Sequence, residues 1–190
     1  MPRPQTIEHS AVLQSTEQLA KEGFRISYIP VDSQGIVQLN NIAEAIEDST
    51  ILISIMHSNN EIGVIQPIQE IATLARQHQI PFHTDAVQTV GKMEVDVEQL
   101  GIDLLSLSAH KIHGPKGVGA LYIRKGIQLD PLLLGGSHER SQRAGTLNVP
   151  GIVGLGKACE IAQQSLEDFD TRVRKLRDHL EKTILQKIPK

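Results

Sequence analysis

The sequence predicts an α/β fold, a mainly parallel sheet flanked by helices, on three observations. Short β-branched or apolar runs alternate with helix-like segments, the alternation that strand–helix–strand units produce. Polar, chemically suggestive clusters fall just after the predicted strands, which is where open parallel sheets bind their ligands. The chain is also large enough: 190 residues, 39% of them hydrophobic, allow one domain with a substantial core.

From the start, Ala11 to Glu22 reads as a helix stopped by Gly23, followed by a strand from Phe24 to Ile29. Asp32-Ser33-Gln34-Gly35 is turn chemistry, because Asp accepts from backbone N–H groups just ahead of it and Gly admits a positive φ. A helix is predicted from Leu39 to Ile46, then a strand from Ile51 to Met56. Pro67 suits the first turn of a helix running to His78, since its missing N–H is not needed there. Pro81 to Thr84, Asp103 to Ser108 and Val118 to Ile123 read as strands. Val149 to Ile188 reads as helix, either two or one long bent one, with the charged run Asp168 to Lys175 as a solvated face. These elements divide into a sheet-containing domain over residues 1–150 and a helical segment over 151–190.

Composition narrows the function classes. Net charge is −3, with acids and bases interspersed, so the basic footprint of a nucleic-acid binder is missing. No apolar run approaches the ~20 residues of a membrane span. Met1-Pro-Arg-Pro-Gln has no apolar core of a secretory signal. Cys159 is the only cysteine, which excludes an internal disulfide and a thiolate-rich metal site. A cytoplasmic setting and no resident metal are the expectations.

The strand-end clusters carry the chemistry. In Ser108-Ala109-His110-Lys111-Ile112-His113-Gly114-Pro115-Lys116-Gly117, a lysine leaves a buried strand into a Gly/Pro-rich loop. Partial desolvation there would lower its pKa and make the amine a nucleophile toward an aldehyde such as that of pyridoxal 5′-phosphate (PLP). The bland alternative is an exposed loop lysine; Lys116 looks like an ordinary turn residue. Such an electron-sink cofactor needs a carboxylate to keep its pyridine nitrogen protonated, and Asp85 after Pro81 to Thr84 is the candidate, with a helix cap as its alternative. Gln88 could reach the ring hydroxyl if the turn is tight. His9, taken to follow a first short strand, could lie flat against the ring or be purely structural. Asn59 and Asn60 could be turn residues. Ser108 and His110 could donate to a phosphate or cap the loop. Gly135 to Thr146 is polar, Gly-rich and too long for a simple turn, as functional loops often are.

These segments together resemble the cysteine desulfurases, PLP enzymes of the class V aminotransferase group with the fold type I architecture. The matching stretches are IEHSAVL (Ile7 to Leu13), SIMHSNNEIGVIQPI (Ser54 to Ile68), HTDAVQTVGK (His83 to Lys92), DLLSLSAHKIHGPKGVGALYIR (Asp103 to Arg124) and GGSHERSQRAGTLNVPGIVGLGKA (Gly135 to Ala158). The resemblance implies that 1–150 is the incomplete PLP-binding large domain and that 151–190 leads toward a small domain. It implies Lys111 as the Schiff-base lysine and, with His9, a catalytic residue. Asp85 is similar to the pyridine-nitrogen partner, Gln88 to the ring-hydroxyl contact, His9 to the stacking histidine, and Asn60 to the asparagine beside cofactor and substrate. Ser108 and His110 resemble phosphate ligands, and Thr146 the threonine that reaches a neighbouring subunit's phosphate, which implies a homodimer. The implied reaction converts L-cysteine to L-alanine and an enzyme persulfide, with a sulfur-acceptor or scaffold protein as partner and sulfur supply for iron–sulfur clusters or thio-cofactors as the purpose.

The family's amino-terminal phosphate loop and its carboxy-terminal domain, with the nucleophilic cysteine and the substrate-binding arginine, have no counterpart in these residues. Cys159 reads instead as a small buried residue in a helix. The expectation is a central, truncated portion of a desulfurase. The alternatives are a catalytically inactive partner-binding module, or another class V enzyme such as a selenocysteine lyase or an aminotransferase.

Overall fold

The computed structural model describes residues 7–188. The opening Met1 to Gln5, expected to hold no signal core and no strand, lies outside the described residues. The chain divides into two compact units, Met1–Gln88 with Asp96–Leu107 and Ala120–Thr146, and Thr89–Val95 with Ser108–Gly119 and Leu147–Lys190.

The first unit is built on the sheet. Its strands are β1 (Ile53–Ser54), β2 (Phe82–Asp85), β3 (Leu104–Ser108) and β4 (Gly119–Ile123), in that spatial order. β1 pairs parallel with β2, Ser54 beside His83, and β2 parallel with β3, Asp85 beside Ser106. The β1 pairing runs past its two assigned residues, since the N–H groups of Ile53, Ile55 and His57 donate to Pro81, His83 and Asp85. Ile51 and Leu52, predicted to open this strand, are exposed and stay outside it. β4 is antiparallel: Arg124 N–H donates to the Asp103 carbonyl, while Ala109 N–H donates to Val118, so the numbers run in opposite senses. A mainly parallel sheet with one antiparallel edge strand is a common mixed arrangement.

Period-two alternation sorts the β2 side chains. Phe82 and Thr84 are wholly buried, and helix α3 (Ile68–Gln77) packs on this strand. Ile68, Ile71, Ala72 and Ala75 form the buried stripe of α3 at the helical spacing i, i+3, i+4, i+7. Glu70 in its first turn and Arg76 in its last suit the helix dipole. His83 and Asp85 belong to the opposite face, the one that carries the polar groups.

Helix α1 (Ser10–Lys21) begins at His9 as N-cap, and Gly23, at φ +99°, stops it in the left-handed conformation that glycine adopts without strain. Helix α2 spans Leu39–Ala45. Asp32 Oδ1 accepts from the N–H groups of Gln34 and Ile36, the turn expected from that motif. Two expected strands are absent. Phe24 to Ile29 forms no strand; its alternation satisfies a strand's side-chain rule, yet no ladder pairs its backbone, and Phe24 and Tyr28 are left exposed. The described residues before His9 likewise form no strand, because side chains rather than a ladder tie them down.

Arg124 fastens the edge of this unit. Its guanidinium donates to the carbonyls of Ile102 and Val97 and pairs with Glu98 and Asp103. Arg124→Met keeps the aliphatic stem but removes the donors, so a loss of about 1–3 kcal/mol is expected, read as a lower urea midpoint at unchanged slope.

In the second unit, Ala109–Ile112 forms a 3-10 turn closed by His113 at φ +66°. Helix α4 (Val149–Gln164) starts with Asn148 capping Gly151 N–H and Pro150 in its first turn. It continues through α5 (Leu166–Asp168) and a π-turn at Phe169–Val173 into α6 (Arg174–Lys187), so the longer predicted helix is one bent run. Asp168–Arg172 and Asp170–Arg174 pair on its exposed surface, as a solvated face requires. Helix α4 meets the 3-10 turn through small residues. A Cβ on Gly154 would sit 2.5 Å from Pro115 Cγ, and one on Gly114 3.0 Å from the Ala158 methyl. Glycine at both positions is what lets the loop that carries Lys111 lie against α4. No described helix is long and apolar enough to cross a membrane.

Candidate active site

In the first unit, the residues around His9 are strapped to the end of β1 by two side chains. Glu8 Oε1 accepts from Met56 N–H at 2.6 Å, and Asn59 Nδ2 donates to the Ile7 carbonyl at 2.7 Å. Asn59 Oδ1 also accepts from the N–H groups of Glu61 and Ile62. Asn59 is therefore the turn residue, and the adjacent Asn60 is left exposed. His9 Nδ1 accepts from Ala11 N–H at 3.2 Å, which places the ring proton of a neutral imidazole on Nε2. His9 and Asn60 line one cleft of about 240 Å³ with Glu8, Ser10 and Asn59. Of the sequence-derived site residues, these two are brought together there.

Asp85 ends β2 buried at 9% exposure, with Oδ1 accepting from Val87 N–H at 2.9 Å. Gln88 follows on a tight turn and is half-buried, the turn that its proposed reach requires. Two residues before Asp85, His83 bridges the sheet: Nδ1 lies 2.8 Å from Ser54 Oγ and Nε2 2.9 Å from Ser106 Oγ. Burial holds its pKa below the ordinary value, against the opposing charge of Asp85, so it is a neutral imidazole with one nitrogen donating and one accepting. The sequence reading passed over His83, although alternation from Asp85 places it on the same face. Thr146 is exposed at the end of its loop and does not line the cleft. That loop contains Glu139, Arg140 and Ser141 in succession at positive φ, a left-handed stretch that costs L-residues free energy and marks the loop as more than a surface connection.

Glu8 stands out in the sequence only as half of the polar Glu8-His9 cluster, with no role of its own. Burial, aided by the Asp85 charge and opposed by the Met56 bond, lifts its carboxyl pKa from 4.5 to about 7. A raised acid pKa means that the folded chain binds a proton that the unfolded chain has lost. Stability from this group is full below 4.5 and falls as pH rises toward 7, by on the order of 3 kcal/mol. Thermal melts across that range should show the wild type losing stability relative to Glu8→Gln as pH rises, since the lowered pKa values of His57 and His83 contribute alike to both profiles.

In the second unit, Ser108, His110 and Lys111 share one short stretch, with Ser108 Oγ 2.8 Å from His110 Nδ1. Lys111 is exposed, which corrects the expectation of a desolvated amine: the 3-10 turn that follows β3 carries it to the surface of its unit. Lys92 lies near enough that the Lys111 charge, after burial, holds its pKa down. Cys159 is half-buried in α4, and burial pushes its thiol up, as expected of a structural cysteine. Among the described residues no group of His, Cys, Asp and Glu could hold a metal ion.

The aminotransferase class-V family model matches residues 5–190. The chain belongs to the class-V aminotransferase family. Family members of this kind are PLP-dependent, and the chain is similar to proteins named cysteine desulfurase. Cysteine desulfurase IscS of Methanosarcina thermophila is 57% identical over 97% of this chain and 46% of the relative. A solved NifS-like protein is 45% identical with a TM-score of 0.91, over 95% of this chain and 50% of the other. A structure of SspA in complex with cysteine is 47% identical with a TM-score of 0.79, over 81% of this chain and 45% of the other. This class-V chain thus spans about half the length of the relatives it matches, and its fold is that of the NifS-like PLP enzymes.

Proposed function

We propose that these residues are the cofactor-binding portion of a PLP-dependent cysteine desulfurase, which converts L-cysteine to L-alanine and passes the sulfur to an enzyme persulfide. The observation that carries this reading is the 57% identity to a cysteine desulfurase across nearly the whole chain. The residue types suit the cofactor. The first unit has a buried strand-end carboxylate, a half-buried glutamine on the next turn, and a histidine and an exposed asparagine on one cleft; the second has a Ser/His pair beside a lysine. Residues 1–150 serve as the PLP-binding domain, with 151–190 leading toward a small domain.

When bound, PLP supplies the electron sink that takes up the electrons of a broken Cα–H bond. The chain's residues do the rest. Lys111 would hold the cofactor through its amine and would serve as the base for the substrate Cα proton. Asp85 would keep the pyridine nitrogen protonated, and Gln88 would donate to the ring hydroxyl. His9 would stack on the ring; its Nδ1 is occupied by Ala11 N–H, which leaves the Nε2 proton for the reacting groups. Asn60 would orient ring and substrate. Ser108 and His110 would hold the phosphate, and Thr146 would reach the phosphate of a second copy in a homodimer. The sulfur-accepting cysteine of this scheme is not Cys159, whose thiol stays protonated. A sulfur-acceptor protein, a role in iron–sulfur cluster supply and a cytoplasmic setting complete the proposal.

Incubation of the PLP-loaded chain with L-cysteine and an added thiol that takes up the sulfur as a persulfide, scored for equal amounts of alanine and of persulfide sulfur, tests the activity. Alanine formation supports the desulfurase. A yellow protein that forms the α-keto acid instead would make the chain an aminotransferase.

A further inference from the structure

Glu8 Oε2 is the single buried side-chain polar atom among the described residues without a hydrogen-bond partner. Its twin Oε1 takes Met56 N–H at 2.6 Å, and the next residue, His57, donates its N–H to the Asp85 carbonyl at 2.9 Å. Glu8 is thereby pinned to the strand end that pairs with the end of β2, where Asp85 is buried. Two carboxyl groups buried at neighbouring strand ends do not both ionise readily, because each charge disfavours the other and burial disfavours both. Their hydrogen bonding breaks the symmetry. Asp85 has a donor in Val87 N–H, whereas Glu8 Oε2 has none and needs a proton of its own.

We propose that Glu8 and Asp85 form a carboxylic acid–carboxylate pair in which Glu8 keeps the proton, leaving Asp85 as the sole anion offered to a cationic ring nitrogen. Its last clause rests on the PLP reading; the pair itself does not. The rise of the Glu8 pKa to about 7, with the Asp85 charge among its causes, agrees with the pair. The other titratable groups at hand are His9 and Glu61 on the cleft, His57 beside Met56, and His83 two residues before Asp85. Burial lowers the pKa of both His57 and His83, so neither supplies a cation that would ionise Glu8. Glu8 acts here as a positioning residue, since it works through Asp85.

The test is a carbon-13 NMR titration of the chain with labelled carboxyl carbons, without PLP. One glutamate signal should titrate near pH 7, vanish in Glu8→Gln, and move measurably downward in Asp85→Asn as the like charge is removed, burial keeping part of the rise. The pair is overturned if every glutamate titrates within about a unit of the ordinary value near 4.3, or if Asp85→Asn leaves the midpoint of the high signal unmoved. The wild-type and Asp85→Asn titrations decide the matter even where Glu8→Gln fails to fold. A separate addition of PLP isolates the other premise. Absence of any absorbance change would sink the cofactor reading while the acid–carboxylate titration still stands or falls by itself.

Discussion

Lys111→Ala is expected to abolish covalent PLP binding by the chain. The wild type, mixed with PLP, should develop the visible absorbance of a lysine-bound cofactor, and borohydride should fix it in place. The variant should do neither, because the proposed site has Lys111 as the amine that would meet the aldehyde. The loss should be complete rather than partial, since a covalent bond has no weaker substitute. Lys116 stands five residues on, past Gly114-Pro115, and Lys116→Ala should leave the absorbance intact. Lys92 makes the sharper control. It is half-buried and feels the Lys111 charge, so it is the other lysine whose amine could take over. Persistent covalent colour in Lys111→Ala would mean that the anchor has been misassigned.

Phe82→Ala should have the largest effect on stability. Phe82 is wholly buried at the start of the central strand, on the face that meets α3, and its N–H donates to Asp103 Oδ2 at 3.0 Å. Removing the ring from so enclosed a site costs about 3–5 kcal/mol, because the surroundings refill the space only in part. Chemical denaturation should show a strongly lowered midpoint or an unfolded chain. Phe24→Ala is the internal comparison: that ring is 48% exposed and should cost far less.

The fold was legible where side-chain pattern and backbone pairing agree. The strand expected over Pro81 to Thr84 and the helix expected from Pro67 to His78 correspond to β2 (Phe82–Asp85) and α3 (Ile68–Gln77). Phe24 to Ile29 failed because alternation describes side chains alone, whereas a strand also needs a neighbour for its N–H and C=O groups. Among the proposed site residues, the sequence brought out Asp85 and Ser108 at strand ends, His110 and Lys111 just past β3, and His9 and Asn60 outside any strand. It could not reveal which member of Asn59-Asn60 is consumed by the backbone, since that depends on Ile7 and Ile62 arriving at the same place. Glu8 and His83 were hidden for a related reason. An acidic residue and a histidine look ordinary in a string, and their character comes from burial and from partners 48 and 29 residues away. The assumed desolvation of Lys111 erred in the other direction: a loop expected to hold the lysine close to the sheet leaves it exposed.

The central claim is that Lys111 is the residue that binds PLP. Its most direct measurement is peptide mapping of the PLP-treated, borohydride-reduced chain by mass spectrometry. The account predicts one reduced cofactor per chain, carried on the peptide that contains Ser108 to Lys116 and fragmenting to Lys111. Modification centred on another lysine, or scattered among the surface lysines with no preferred site, would contradict it.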